Sequence, residues 1–536
     1  MQSGMQHLFS QIPRADIKRS AFDRTSTYKT TMDSGVLVPF FVDEALPGDT
    51  FTLDTGVFAR MATPVVPVMD DMFLETFFFA VPNRLVWDNW QKLCGEQENP
   101  GDSTDYLVPQ IHTENGFAVG SISDYMGLPP LVKNLSVSAL WHRGYNLIWN
   151  EWFRDENLQQ RVPVHKDDGP DPEDDYKLLR RGKRHDYFTS CLPWPQKGPG
   201  VELPLGTQAP VYGTGYSMLL KTGLTQDTNY SHMYSVGNAS MTSGLGVTAV
   251  GQTGSDASDH GVGLATKDDL PENINPGLYA DLSSASAATI NSLREAFALQ
   301  SMYEADARGG SRYTELLRSH FGVVSPDARL QRPEYLGGFS TRINVHTVAQ
   351  TSSTDTVTPQ GNLAAFVTAG EVAHCFNKSF VEHCLIIGLV QIRAKLTYQQ
   401  GINRMFSRKT RFDYYWPQLA HLGEQAVLNK EIYATGTPDD DKVFGYQERW
   451  SEYRYKPSLI TGKFRSQDPQ SLDVWHLSQH FTGIPPLNAD FIQDNPPIKR
   501  ALAVQNEPEF LLDCNFKLRC VRPMPVYSVP GLMTRF

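Results

Sequence analysis

Phe510-Leu511-Leu512-Asp513-Cys514-Asn515-Phe516-Lys517-Leu518-Arg519-Cys520-Val521 alternates apolar and polar side chains from Leu512 onward. A period of two marks a strand with one face in a core and one outside it. The matching strands lie at the other end of the chain. Val36-Leu37-Val38-Pro39-Phe40-Phe41-Val42 reads as one, closed by Leu46-Pro47-Gly48-Asp49. Thr50 to Asp54 reads as a second, and Met72 to Val81 as a third, stopped by Pro82-Asn83. Phe339 to Val348 alternates, and Cys384-Leu-Ile-Ile-Gly-Leu-Val-Gln-Ile-Arg393 has the continuous apolar character of a fully buried strand. Strands supplied by both ends of a chain imply one mainly β sandwich interrupted by excursions, rather than tandem domains.

Composition agrees. The 536 residues are 40% hydrophobic and 20% charged, enough for a large core and too apolar for general disorder. Thirty-five Pro, 41 Gly and 11% aromatics favour strands and turns over helices. Lys and Arg number 48 against 59 Asp and Glu, a balance of −11. That excludes a chain whose whole surface neutralises nucleic acid. Six cysteines without a C-x-x-C pair, no apolar run long enough for a bilayer, and an N-terminal stretch with no signal-type core predict free thiols and a cytoplasmic site of synthesis.

The segments divide by texture. Residues 1–34 are polar and mildly basic and predict an extended N-terminal arm. Residues 35–82 carry the first sandwich strands. Residues 83–200 form a helical and loop insertion, with an aromatic-rich helix expected between Ser136 and Gln159. Residues 201–280 are the outlier: between Gly213 and Val262 there are four formal charges and nine glycines. So long a low-charge connection predicts a surface-exposed insertion. Residues 281–338 form a helical insertion, with one helix from Ser286 stopped at Gly309-Gly310 and another from Arg312 to Phe321, stopped by Gly322. Residues 339–536 hold the remaining strands, loops and a C-terminal arm.

Known reaction chemistries find little support. Walker A and G-x-S-x-G patterns are absent, and Gly213-Thr-Gly215 has Met218 where the dinucleotide fingerprint needs its last glycine. His374-Cys375 and His383-Cys384 stand nine apart, an odd separation that puts the members of a strand on opposite faces. Asp171-Pro-Glu173-Asp-Asp175 begins like a calcium loop, but Tyr176 replaces the turn glycine. No catalytic residue, cofactor site or metal site is expected. The basic run Arg404-Met-Phe406-Ser-Arg408-Lys409-Thr-Arg411-Phe412, leading into Tyr414-Tyr415-Trp416, pairs cations with rings. Such a pairing suits single-stranded nucleic acid, with Lys517, Arg519, Arg522 and Arg535 as further candidate contacts. Ion pairing or subunit contact is the alternative for these residues. Tyr216, Tyr230 and Tyr234 are candidate anchors within the 201–280 insertion for a host surface.

Several strings resemble the major capsid protein of gokushoviruses, single-stranded-DNA phages of the Microviridae. They include Arg143-Gly-Tyr-Asn-Leu-Ile-Trp-Asn-Glu-Trp-Phe-Arg-Asp155, Arg184-His-Asp-Tyr-Phe-Thr-Ser-Cys-Leu-Pro-Trp-Pro-Gln-Lys-Gly198 and Ala288 to Gln300. Asp306-Ala-Arg-Gly-Gly310, Ser325 to Gly338, Phe444-Gly-Tyr-Gln-Glu-Arg-Trp450 and Arg522 to Gly531 extend the match along the chain. The resemblance implies an eight-stranded antiparallel jelly roll with large helical and loop insertions. It implies a T=1 icosahedral virion shell, built by self-assembly through two-, three- and five-fold contacts around circular single-stranded DNA. Implied partners are an internal scaffolding protein, a small basic DNA-binding protein, a DNA pilot protein and a host surface receptor, without membrane insertion. The long insertion would form a three-fold protrusion. The competing expectation is a glycan-binding or adhesive β-sandwich protein, with an enzyme using Asp171 or His374 as a third.

Overall fold

The computed structural model describes residues 18–201, 290–352, 354 and 359–527, and the backbone of five short strands between 211 and 280. The chain forms two compact units, one of residues 1–197 with 304–536 and one of residues 198–303.

In the larger unit the strands are β1 (Ser20–Asp23), β2 (Ser26–Met32), β3 (Val38–Ala45), β4 (Thr50–Met61), β5 (Met72–Pro82), β6 (Gln110–Thr113) and β7 (Leu135–Ser138). In the smaller unit, β8 (Val211–Gly213) pairs with β12 (Leu278–Ala280), and β9 (Leu219–Thr222) lies between β10 (Tyr230–His232) and β11 (Val262–Leu264). The larger unit resumes with β13 (Glu334–Gly337), β14 (Ser340–Ala349), β15 (Leu363–Ser379), β16 (Cys384–Ala394), β17 (Glu424–Leu428), β18 (Val443–Glu448) and β19 (Phe510–Arg522).

The main sheet runs β1-β19-β4-β15-β14-β5-β16-β3, with β2 on β19 and β13 on β5. Every pairing in it is antiparallel, and most join strands distant in sequence. β14 turns the corner of this curled sheet. Its residues Ser340–Ile343 pair with β5, while Asn344–Ala349 pair with β15. The result is a mainly β jelly-roll sandwich.

The inner faces enclose the first core. From Phe510 to Cys520 every second residue of β19 is buried and the others are exposed. Phe516 packs against Phe40 and Phe41 at centroid distances of 5.2 and 4.9 Å, and Phe78 meets Phe40, Phe41 and Phe376. A second core explains why β16 is buried at every position. The outer face of β5 and β16, with Phe79, Val81, Leu385, Ile387 and Leu389, is covered by Tyr145, Ile148, Trp149 and Phe153. A two-sided environment selects an unbroken apolar run, as in Leu385 to Val390.

Four differences from the sequence reading have physical causes. The expected 1–34 arm is partly sheet: residues 20–32 form β1 and β2 on β19, with Tyr28, Thr30 and Met32 less exposed than their neighbours. Residues 1–17 lie outside the described part. The helix expected across Ser136–Gln159 begins only at Leu140, because Leu135–Ser138 pairs with β6, and it continues as a π-helical turn at Trp149–Phe153. β15 was not anticipated; its Ala, Gly, Glu and His content hides the alternation. Asp171, read from its acidic run as part of a surface loop, is buried. Its buried carboxylate accepts from Arg143 Nε at 2.7 Å, Arg143 Nη2 at 2.5 Å and the Tyr176 hydroxyl.

All six cysteines are unpaired, and five are buried. His374 pairs with Asp54 at 2.7 Å, whereas His383 packs against Trp90, so each has its own structural partner. Among the described residues no helix is long and apolar enough to cross a membrane.

Candidate nucleic-acid interface

The basic run occupies the loop between β16 and β17. Two short 3-10 turns, Arg404–Phe406 and Arg411–Asp413, fold it back on itself. The Asn403 side chain caps the first turn by accepting from the Met405 amide. Asp413 closes the second, accepting from the amides of Thr410 and Lys409 at 2.7 and 2.9 Å and from the Thr410 hydroxyl at 2.9 Å. These bonds, the Thr410 amide first and the Lys409 amide next, hold the Asp413 carboxyl down at about 2.

The loop places rings outward. Phe406 is 75% exposed and Phe412 64% exposed, and Tyr414, Tyr415 and Trp416 are each more than 40% exposed. Tyr415 stands edge-on to Trp450 at 5.7 Å, and Tyr453 flanks both. Together these rings form an exposed aromatic patch, and apolar patches of this kind favour binding of other molecules.

The cations divide into two groups. Arg404 donates to Glu431 at 3.0 Å and to the Ala426 carbonyl at 2.8 Å. Arg408 pairs with Glu452 at 3.3 Å and lies 4.2 Å over the Tyr453 ring. Arg522 pairs with the fully buried Asp49 at 2.7 Å. These three build the fold. Lys409 and Arg411 are exposed, and Arg411 lies 5.0 Å over Trp416. Lys517 and Arg519 project from the outward face of β19, a separate element. Opposite them in register stand Asp54 on β4 and Asp23 on β1, which dilute their charge. The geometry therefore joins Arg411 to Trp416, with Phe406 and Lys409 exposed on the same loop, and leaves the β19 cations on another element.

Tyr453, Tyr455 and Arg449 belong to the same surface region of the chain and were missed by the sequence reading. The interleaving Arg449-Trp450-Ser-Glu-Tyr453-Arg-Tyr455 was the signal available. Arg535, Tyr216 and Tyr234 lie outside the described residues. Tyr230 opens β10, in register with Lys221 of β9.

Beyond this loop, Leu107, Val324, Val372 and Val381 are each more than three-quarters exposed. A jelly roll with long excursions, bare apolar side chains and an exposed aromatic loop is the architecture of a structural protein that meets other molecules through its surface. The comparisons specify which kind. The family profile described as capsid protein (F protein) matches residues 10–532. The chain is 49% identical over 537 aligned positions to capsid protein VP1 of Bdellovibrio phage phiMH2K, covering 99% of this chain and 98% of that one. It is 47% identical to capsid protein VP1 of Chlamydia phage 1, again over 99% and 98% of the two chains. Capsid protein VP1 of Spiroplasma virus 4 is 37% identical, over 98% and 97%. The chain belongs to this family of phage capsid proteins. It is a non-enzymatic virion component of Microviridae type that assembles with copies of itself into a shell.

Proposed function

We propose that this chain tiles a T=1 icosahedral shell around circular single-stranded DNA, and that the loop from Arg404 to Trp416 is a contact with that DNA. The exposed Phe412, Tyr414, Tyr415 and Trp416 beside Lys409 and Arg411 carry the second part. Rings stack on any base and cations track phosphates, so such a surface binds a single strand without reading its sequence. The net charge of −11 leaves most of the genome's charge to a separate small basic protein. Scaffolding and pilot proteins complete the assembly, and the particle forms in the host cytoplasm. The 201–280 segment forms a three-fold protrusion that meets the host receptor; its scarcity of charge makes it easy to desolvate.

Ultraviolet cross-linking of intact particles tests the DNA contact. Peptides containing Phe412 to Trp416 should carry nucleotide adducts. Adducts mapping only elsewhere would contradict the assignment. In dissociated subunits, Trp416→Ala together with Phe412→Ala should weaken oligo(dT) binding by about tenfold or more, as loss of one or two stacked bases does.

A further inference from the structure

A second basic site lies away from that loop. A cavity of about 610 Å³ in the larger unit is bounded by the end of the aromatic helix region, the segment after Arg180 and the turn at Gly309-Gly310. Three of the stretches that carry the family resemblance, ending at Asp155, starting at Arg184 and ending at Gly310, meet at its wall. Seven of the lining residues are Lys or Arg and three are Asp or Glu.

The carboxylates in direct ion pairs with these cations are fewer than the cations. Arg181, Arg184 and Arg393 all converge on one carboxylate, Glu75, at 2.6, 2.5 and 2.7 Å. Burial alone would raise the Glu75 carboxyl, but Arg393 and Arg181 outweigh it and hold Glu75 charged. Arg308 pairs with Glu424, and Arg312 lies between Glu156 and Glu315. Counting the outside carboxylates in direct ion pairs, Glu75 and Glu424, with the three acids of the wall leaves seven cations against five. Among the described residues Lys183 has no carboxylate at hydrogen-bond distance; it donates to Gln479 at 3.0 Å, lies 4.4 Å over the Phe491 ring and feels Asp494 and Asp186 from beyond ion-pair distance. The Nε groups of Arg154, Arg312 and Arg393 are buried without a hydrogen-bond partner among the described residues, and Arg393 is only 6% exposed. Buried cationic donors in excess are costly without an anion.

The lining rings do not offer a free face to a base. Trp152 is covered by the Arg332 guanidinium at 3.9 Å, and Phe153 by Arg181 at 5.4 Å. The recognised chemistry is therefore the anion. The Arg184 side chain, 47% exposed, gives access from solvent. We propose that this cavity is a phosphate-binding site, with Arg184 and Lys183 as principal donors and the half-buried Arg181 and buried Arg393 as the fixed positive wall. Guanidinium forks match phosphate oxygens in pairs, which favours phosphate over a simple halide. The site does not rest on the aromatic loop.

Thermal unfolding of the full-length subunit tests the proposal. Inorganic phosphate should raise the midpoint saturably, and chloride at equal ionic strength should not. Arg184→Gln should weaken the phosphate effect about tenfold, the loss of one charge-assisted contact. Arg60→Gln, an exposed cation on β4, should leave it unchanged. Independently of any variant, phosphate should shield Arg184 from phenylglyoxal in the parent protein, read by mass spectrometry. Displacement of phosphate by oligo(dT) would identify the phosphodiester of packaged DNA as the source. Failure to displace it would identify a small free phosphate. Equal effects of phosphate and chloride, or equal labelling of Arg184 with and without phosphate, would overturn the site.

Discussion

At the residue scale, buried polar groups decide how the excursions fold. Arg143 is fully buried and is held by Asp171, by the Val86 carbonyl at 3.1 Å and by the Asp167 carbonyl at 2.9 Å. Arg143→Met would leave the Asp171 carboxylate without its counter-charge, and the expected loss of stability is about 3–5 kcal/mol, measured by denaturant unfolding. His142, its neighbour, donates to or accepts from Ser123 at 2.9 Å, and burial pushes its imidazole down to about 4, against a smaller upward effect of Asp171. The unfolded chain therefore takes up a proton first. Stability contributed by neutral His142 is complete above pH 6.5 and is lost as pH falls towards 4, by about 3 kcal/mol. In His142→Gln that part of the acid sensitivity should vanish, seen as a flatter stability profile between pH 6.5 and 4. The aromatic helix was legible in sequence as apolar periodicity. The Arg143–Asp171 pair was not, because its members lie 28 residues apart and neither spacing nor charge pattern marks them as partners.

At the element scale, the strands that could be read were those with a regular environment. β19 alternates because one face is inside and one outside, and β16 is continuous because both faces are covered. β15 pairs with β4 from Thr368 to Ser379 and with β14 before that, yet carries small and charged residues, so its identity comes from register rather than composition. β1 and β2 were hidden for a similar reason: polar edge strands look like a tail. Gly388 on β16 shows how tight the packing is. A Cβ there would stand 2.8 Å from Phe41 Cβ and 2.8 Å from the Phe78 ring. Gly388→Ala should cost about 1–3 kcal/mol through overpacking, whereas Gly370→Ala on β15, whose nearest contact is Phe58 at 3.9 Å, should cost little. Comparing the two denaturation midpoints checks this. The loop of Arg404 to Trp416 was legible as cations among rings, but the division between structural Arg404 and Arg408 and exposed Lys409 and Arg411 depends on Glu431 and Glu452, which only folding brings near.

At the scale of the whole molecule, strands from both ends of the chain close one sandwich, and the segments between them are free to serve contacts. That division of labour suits a shell protein: the sandwich supplies rigidity, and the excursions supply the surfaces that differ between neighbours. Deleting residues 213–262 is expected to spare particle formation while reducing adsorption to host cells, checked by particle yield and adsorption rate together. The capsid assignment could be read from long shared strings, whereas the phosphate site could not, since its cations come from four segments that meet only in the fold. The most direct test of the central claim is cryo-electron microscopy of particles formed by this chain. A closed icosahedral shell with one copy per asymmetric unit, its wall containing β19 between β4 and β2, is the predicted result. Subunits that remain single, or particles whose wall separates the two ends of the chain into different sandwiches, would contradict it.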